Sequence, residues 1–250
     1  RLLPMCGLKR VNQGKVRDTY ALPGQSDLLL MVAEDRISIF DIVLSSLISR
    51  KGEILTALTV FWLTGPMSAW KHHLVAFGRD IDNYLPAKLR GNTDLQRRAL
   101  VVKKMTMIPV ECICRGYLTG SGWSAYKKIG EVCGHKLSPG LHDGSRLVVG
   151  PDVFNPIFTP TTKSHTGHDE HIGAHEVREK YGIALECATR QIYISAHDYA
   201  KPRGVIIADT KLEFGLVSDS KDNPKDIVVG DEVLTPDSSR FWDEKEWEEA

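Results

Sequence analysis

Charged and uncharged residues alternate in the sequence DTKLEFG at positions 209–215. Successive side chains of a β-strand point to opposite faces, so Asp209, Lys211 and Glu213 are predicted to share one face. Residues 204–208 precede them and contain three consecutive β-branched side chains, which predicts a buried strand. The sequence therefore predicts a strand that starts in the core and ends with a charged face.

A second strand is predicted at residues 227–234, after a polar interval with a turn signal. If the two strands form a hairpin, Glu213 lies opposite Asp231, with Cβ atoms about 4.5–5.5 Å apart. Two carboxylates at that distance repel each other unless a cation lies between them, and oxygen ligands suit Mg²⁺. The alternative is a solvated face on which Lys211 neutralises its neighbours.

The sequence GKVRDTY at positions 14–20 predicts another strand, with Lys15, Arg17 and Thr19 on one face. Two cations close to a glycine can hold phosphate groups. The segment is not a Walker A loop, because G-x-x-x-x-G-K-[ST] is absent. A solvated edge strand explains the same pattern, and residues 28–33 are its predicted hairpin partner.

A glycine-rich loop at residues 116–122 precedes a predicted helix at 123–129, an arrangement that favours anion binding at the helix N-terminus. Ordinary turn chemistry is the alternative. An apolar run with a bend near Pro109 comes before the loop, and the predicted boundary lies there, between domains 1–108 and 109–250.

Two helices are predicted from apolar spacing. The first, at 52–63, is expected to bury Ile54, Leu55, Leu58, Phe61 and Trp62. The second, at 174–200, is expected to break near Gly182.

A polar segment at 151–171 is predicted to be a long loop. Four histidines lie in or near it, but they lack the H-E-x-x-H pattern and any nearby cysteine, so zinc is not expected. They are His165, His168, His171 and His175.

Composition and charge restrict the class of protein. The 250-residue chain has 32 basic and 32 acidic residues, and its zero formal net charge argues against general binding to nucleic acid or membrane surfaces. The five cysteines include no C-x-x-C pair, which fits a reducing compartment and predicts a cytoplasmic protein. No apolar run is long enough to span a bilayer.

Several segments together resemble the SAICAR synthetase family of purine biosynthesis, in its single-function fungal and bacterial form. They are GKVRDTY, EDRISIFD, YLPAKL, PVECICRGYLTGSGW, IFTPTTK followed by HDE, IIADTKLEFG, and GDEVLTPDSSRFW. The resemblance implies a two-domain α+β fold, with a kinase-like antiparallel sheet in the N-terminal domain, a larger C-terminal domain, and ATP in the cleft. Two departures are visible. His171 stands where the family usually has Asn, and the family continues with further helix, whereas this sequence ends at Ala250.

The resemblance implies an enzyme that joins carboxyaminoimidazole ribonucleotide to L-aspartate with ATP. ATP would convert a carboxylate into an acyl phosphate, and the aspartate amine would then displace phosphate. Such chemistry needs cations and Mg²⁺ around the phosphoryl group more than a dedicated nucleophile. The expected cofactors are ATP and Mg²⁺, and the expected partners are these small molecules. The expected assembly is a monomer or small homo-oligomer.

The resemblance also implies roles for individual residues. Lys211 and Asp209 are the expected catalytic residues, and Glu213 and Asp231 the expected Mg²⁺ ligands. ATP is expected to contact Gly14, Lys15, Val16, Arg17, Val102, Lys103, Met105, Met107 and Lys163. The other substrates are expected to contact Asp41, Arg115, Ser121, Asp169, Asp209 and Arg240.

Two alternatives to the ligase stay open at this point. One is a non-catalytic nucleotide-binding protein of the same fold. The other is a small-molecule kinase, because the first half of the expected reaction is already a phosphoryl transfer.

Overall fold

The computed structural model describes residues 6–39, 42–163, 172–217 and 227–250. They form two compact units. The first consists of the described residues of Arg1–Thr106 and Gly215–Glu232, and the second of those of Met107–Phe214 and Val233–Ala250. The sequence predicts a single division after residue 108, whereas the described residues of Gly215–Glu232 belong to the first unit again.

The strands of the described residues are numbered in chain order. They are β1 Lys9–Gln13, β2 Arg17–Leu22, β3 Gln25–Ala33, β4 Arg36–Ile39, β5 Ile42–Leu47, β6 Leu74–Phe77, β7 Ala99–Lys103, β8 Thr106–Met107, β9 Val110–Arg115, β10 Glu131–Val132, β11 His135–Lys136, β12 Val148–Val149, β13 Val153–Phe154, β14 Ile157–Phe158, β15 Thr161–Thr162, β16 Val205–Leu216, β17 Ile227–Gly230 and β18 Ser239–Asp243.

The helices of the same residues are mostly short. They are α1 Lys51–Thr64, α2 Thr93–Arg98, α3 Gly120–Ile129, α4 Ala174–Tyr181, α5 Ala184–Ala200 and α6 Glu244–Glu249. Short 3₁₀ turns lie at Gly78–Asn83, Ala87–Leu89 and Lys201–Arg203. Across the described ranges, we find no helix with the length and apolar character needed to span a bilayer.

The first unit is built on an antiparallel sheet with the strand order β1-β2-β3-β7-β6. Buried side chains on one face, among them Tyr20, Leu30 and Val101, pack with Leu95 of α2 to form its core. The predicted hairpin of β2 with β3 is confirmed. The first strand of that hairpin begins at Arg17 rather than at residue 14.

Helix α1 confirms the predicted helix but not its predicted core face. Leu55 and Trp62 are buried, whereas Ile54 is 51% exposed and Phe61 44% exposed. The buried side also contains Thr56 and Thr59. The buried face of the helix therefore includes small polar residues that the apolar spacing does not predict. A stripe at i, i+3, i+4 and i+7 buries only one side of a helix.

The sheet of the second unit has β9 and β16 at its centre. Strands β14 and β15 pair with one edge of β9, and β18 pairs with β16, all antiparallel. Helix α5 packs on β9 and β14. The predicted break near Gly182 is confirmed, because α4 ends at Tyr181 and α5 begins at Ala184.

An aromatic cluster covers part of this sheet around the fully buried Tyr117. Its hydroxyl lies 3.3 Å from Nε2 of His197, and the His197 ring stacks on Phe154 with 4.5 Å between centroids. Trp242 and Trp247 meet the Tyr117 ring edge to face. The cluster therefore joins β18 and α6 to the centre of the unit.

Two predicted elements need correction. The segment 151–171 is not one long loop, because β13, β14 and β15 lie within it and Phe158 and Thr159 are fully buried. The strand predicted at 227–234 ends at Gly230. Asp231 has φ 55°, which takes the chain out of the extended conformation. The Val229 carbonyl of this strand accepts a hydrogen bond from the His73 backbone N–H at 3.0 Å.

Candidate functional site

The charged face of β16 binds charged partners from β9 and β18 and from Lys163, which follows β15. Lys211 Nζ lies 2.6 Å from Oε1 of Glu111, and Glu213 accepts a hydrogen bond from Lys163 Nζ at 2.6 Å. Asp209 pairs with two arginines. The intervening side chains are almost fully inaccessible, namely Thr210, Leu212 and Phe214. Asp209 and Glu213 are buried as well, so the charged residues of β16 are distinguished by their charged partners and not by exposure.

Arg115 and Arg240 approach Asp209 from the strands on either side of β16. Both lie opposite it in the strand registers. Arg115 Nη1 donates to Asp209 Oδ2 at 2.7 Å, and Arg240 Nη1 donates to the same oxygen. The Arg240 side chain is 46% exposed and that of Arg115 only 3%. Arg240 is therefore the arginine that solvent or a ligand reaches more easily.

Arg115 is fixed by further hydrogen bonds. Its Nε donates to Thr159 Oγ1 at 2.9 Å, and Nη2 donates to Ser121 Oγ at 3.0 Å. Burial lowers the pKa of Arg115, although the Asp209 carboxylate acts in the opposite direction. Arginine has such a high reference pKa that the guanidinium keeps its charge.

Two glycines at the start of α3 make room for these arginines. A Cβ on Gly120 would lie 2.5 Å from Nη2 of Arg240, and Gly120 also has φ 57°. A Cβ on Gly122 would lie 3.1 Å from Cδ of Arg115. Helix α3 begins at Gly120, three positions before the predicted start at residue 123, and its first turn lies against both guanidinium groups.

These side chains line an open cleft of about 330 Å³ in the second unit. It brings together five residues expected from the sequence, which are Arg115, Ser121, Asp209, Lys211 and Arg240. The sequence predicts no role at the site for the other lining residues, which are Ile113, Thr210, Pro236, Asp237, Ser238 and Ser239. Residues 236–239 belong to the same sequence motif as Arg240, and that motif is the signal in the sequence that could have identified them.

In the first unit, Arg17 binds two carboxylates at the end of β17. Its Nη1 donates to Asp231, and its Nη2 lies 3.1 Å from Glu232 Oε1. Burial acts to lower the pKa of Arg17, but the Asp231 and Glu232 carboxylates outweigh burial and raise it. Sequence reasoning assigned Asp231 and missed Glu232, although the two are adjacent.

His73 is a further buried neighbour of Asp231. Burial lowers the pKa of His73 to about 4, against the opposing effect of Asp231, so the ring is neutral near pH 7. No spacing rule in the sequence singles out this histidine. Its place beside Asp231 comes from the bonding of β17 to residues 71–73.

The turn before β2 explains Gly14 and corrects the predicted position of Lys15. The Gly14 N–H donates to the Arg17 carbonyl at 2.7 Å, and a Cβ on Gly14 would lie 2.7 Å from that oxygen. Lys15 and Val16 therefore lie in a turn, and Lys15 does not share a strand face with Arg17 and Thr19.

The segment expected to contact adenine passes from the first unit to the second. Val102 is buried in β7, and the Lys103 N–H donates to the His73 carbonyl at 2.8 Å. Met105 follows, and the boundary between the units falls just before Met107.

Two expected site residues, Asp41 and Asp169, lie outside the described part of the chain. So do three of the histidines at which zinc was not expected, namely His165, His168 and His171. Within the described ranges, no group of three or more His, Cys, Asp or Glu side chains is arranged to hold a metal. Glu213 belongs to the second unit and Asp231 to the first. Their predicted opposition stays a prediction.

Comparison with known proteins identifies the family of this chain. The family model described as SAICAR synthetase matches residues 10–250. The chain belongs to the SAICAR synthetase family. The phosphoribosylaminoimidazole-succinocarboxamide synthase of Maridesulfovibrio salexigens is 43% identical over 94% of this chain and 75% of its own length. That of Syntrophobacter fumaroxidans is 45% identical over 94% of this chain and 74% of its own length.

Solved SAICAR synthetase structures resemble the fold as well. SAICAR synthase from Saccharomyces cerevisiae, complexed with SAICAR, is 42% identical and superposes with a TM-score of 0.82, over 95% of this chain and 77% of that one. A SAICAR synthetase in complex with ADP is 26% identical, with a TM-score of 0.65, over 94% of this chain and 84% of that one. The predicted α+β fold and SAICAR synthetase resemblance are confirmed, and the protein is a ligase of purine biosynthesis.

Proposed function

We propose that this SAICAR synthetase joins carboxyaminoimidazole ribonucleotide to L-aspartate through an acyl phosphate, and that the cleft of the second unit binds the ribonucleotide. The observation that carries the residue assignment is the meeting of Arg115, Asp209 and Arg240 beside Lys211 on adjacent strands. Family membership favours the ligase over the non-catalytic protein and over the kinase.

The paired arginines suit the phosphate of the ribonucleotide. A guanidinium group has five N–H donors in a planar fork, so Arg240 retains donors for a phosphate after it binds Asp209. Ser121 lies at the first turn of α3, where backbone N–H groups also favour an anion. We assign Arg115, Ser121 and Arg240 to this phosphate, with Asp209 holding the two guanidinium groups together.

Lys211 and Asp209 are assigned to the reacting carboxylate. Lys211 lines the same cleft as Arg115 and Arg240, and its side chain is 37% exposed. Attack of the aspartate amine on the acyl phosphate builds negative charge on the oxygen of the former carboxylate before phosphate leaves. An ammonium group fixed there offsets that charge, and it does so most strongly in the transition state.

The proposed ATP contacts include a cation in each unit, Arg17 in the first and Lys163 in the second. Each already binds a carboxylate, namely Asp231 and Glu213 respectively. These carboxylates are the proposed Mg²⁺ ligands, since oxygen donors fit that ion. Bound Mg²⁺ would neutralise charge on the phosphate oxygens.

The turn at Gly14, Lys15 and Val16 is proposed to approach the ATP phosphates, and Val102, Lys103, Met105 and Met107 the adenine. Asp41 and Asp169 are retained from the family resemblance as substrate contacts. A cytoplasmic location and a monomeric or small homo-oligomeric state complete the proposal.

Substrate omission tests the proposed reaction. The purified protein is given ATP, Mg²⁺ and the ribonucleotide, and ADP release is measured with and without L-aspartate. The ligase predicts rapid release only when aspartate is present. ADP release that is independent of aspartate, with an acyl phosphate trapped by hydroxylamine, would support the kinase instead. Nucleotide binding without turnover would support the non-catalytic protein.

A further inference from the structure

Glu111 is buried at the centre of the second unit with both carboxylate oxygens engaged. Its residue exposure is 8%. Oε1 lies 2.6 Å from Lys211 Nζ, and Oε2 accepts a hydrogen bond from Thr161 Oγ1 at 3.1 Å. The carboxylate therefore links Lys211 to the threonine hydroxyl of β15.

The strand registers explain why these three side chains meet. Thr161 lies directly opposite Glu111 in the pairing of β15 with β9. Lys211 lies opposite Ile113 in the pairing of β9 with β16, so it is the diagonal neighbour of Glu111 on the same face. Diagonal neighbours are about 7–8 Å apart, a separation that a lysine side chain spans.

Lysine needs such a partner if its ammonium is to stay in one place. Its flexible stem loses rotamer entropy when it is fixed, and a short, charge-assisted hydrogen bond to a carboxylate offsets that cost. The partly exposed Lys211 side chain is not held by tight packing alone.

We propose that Glu111 is a positioning residue for the ligation. It holds the Lys211 ammonium at the cleft, and Thr161 holds Glu111. The inference rests on the proposed role of Lys211. It assigns a function to a carboxylate that does not line the cleft.

The first test is the kinetic effect of Glu111→Gln. The amide keeps the shape but loses the charge that holds the ammonium, so kcat is expected to fall about 10–100-fold, the usual scale for a supporting residue. KM for ATP should stay close to that of the wild type, because Lys211 is assigned to the reacting carboxylate. Thr161→Val removes only the supporting hydroxyl and should give a smaller loss in kcat. Glu179→Gln, on the exposed side of α4, is the matched control and should change neither parameter.

A double-mutant cycle with Lys211→Met separates positioning from a structural role. If Glu111 acts through Lys211, the double variant should have the kcat of Lys211→Met alone, since the ammonium is already missing. If Glu111 only supports the fold, its loss should multiply the Lys211→Met loss, and that result would overturn the inference. Melting temperatures of all four proteins show whether folding is retained.

Competitive acetylation of lysines gives a readout that does not depend on turnover. Lys211 in the wild type should react more slowly than in Glu111→Gln, because the short hydrogen bond to the Glu111 carboxylate holds its ammonium group. The exposed Lys128 serves as the internal reference in both proteins. Equal Lys211 reactivity in the two proteins would contradict the inference even if the ligase assay succeeds. Protection of Lys211 in a protein without aspartate-dependent turnover would support the Glu111 contact and refute the proposed function.

Discussion

Arg115 lies directly opposite Asp209 across two central strands of the second unit, and its Nη1 donates to Asp209 Oδ2 at 2.7 Å. Both side chains are less than a tenth exposed. Removing one member of a buried pair leaves an uncompensated charge, which costs about 3–5 kcal/mol. The pair therefore fixes the side of the cleft that is proposed to bind phosphate, and loss of either member is expected to destabilise the sheet.

Arg115→Lys keeps the charge but loses the planar fork that reaches Asp209, Thr159 and Ser121. We expect KM for the ribonucleotide to rise about tenfold, which corresponds to ~1.4 kcal/mol, with little change in KM for ATP. Initial-rate kinetics with each substrate varied in turn measures both constants. Arg203→Lys, at an exposed position, is the control. A rise confined to the ATP constant would place Arg115 in the nucleotide site.

Gly120→Ala is expected to disturb Arg240, because the new Cβ would lie 2.5 Å from its guanidinium. Gly130 offers a matched control, since it also has positive φ, 72°, but has open space where its Cβ would lie. Both alanines incur backbone strain of about 1–2 kcal/mol. Only Gly120→Ala should also raise KM for the ribonucleotide. Equal kinetic constants in the two variants would argue against an Arg240 contact with substrate.

Asp231→Asn and Glu213→Gln test the proposed Mg²⁺ ligands separately. Each removes a charged oxygen donor, so we expect the Mg²⁺ concentration for half-maximal turnover to rise about 10–100-fold. Titration of turnover with Mg²⁺ at fixed ATP measures it. Glu53→Gln changes a partly exposed carboxylate on α1 that pairs with Arg50, and it should leave the titration unchanged. If both site variants titrate like the wild type, the assignment is wrong.

The buried His197 predicts that stability falls as the solution is acidified. Burial lowers its pKa, with Lys201 and Arg146 acting in the same direction and Asp198 opposing them. Below about pH 6.5 the unfolded chain therefore binds a proton that the folded protein takes up only at lower pH. The melting temperature should drop less between pH 7.5 and 5.5 in His197→Gln than in the wild type. The exposed His175→Gln is the comparison, and identical pH slopes in all three proteins would exclude His197 as a source of acid sensitivity.

The charged face of β16 was predictable because it follows from the alternation of side chains within one strand. To predict that Asp209, Lys211 and Glu213 share one face requires no knowledge of the rest of the fold. Their partners are different, because Glu111 meets Lys211 only through the register of β9 with β16, two strands that are far apart in the sequence. No local spacing in the sequence encodes such registers, so the sequence analysis left Glu111 without a role.

Asp231 shows the limit of periodicity in another way. The apolar residues at 227–234 fit a continuous strand, but the chain adopts a left-handed conformation at Asp231 and again at Leu234. Just before that turn, Val229 bonds to the backbone of Lys71 and His73. The sequence predicts Asp231 as a carboxylate ligand from its chemical type. Its position just beyond the end of the strand depends on tertiary contacts.

The most direct test of the proposed reaction follows an oxygen atom. If the carboxylate of the ribonucleotide attacks ATP and aspartate then expels phosphate, one carboxylate oxygen leaves with that phosphate. With ¹⁸O in the carboxylate, mass spectrometry of inorganic phosphate from the wild-type reaction should show one ¹⁸O for each succinocarboxamide formed. Succinocarboxamide formed together with phosphate that contains no ¹⁸O would contradict the acyl phosphate on which the roles of Lys211, Asp209 and Glu111 depend.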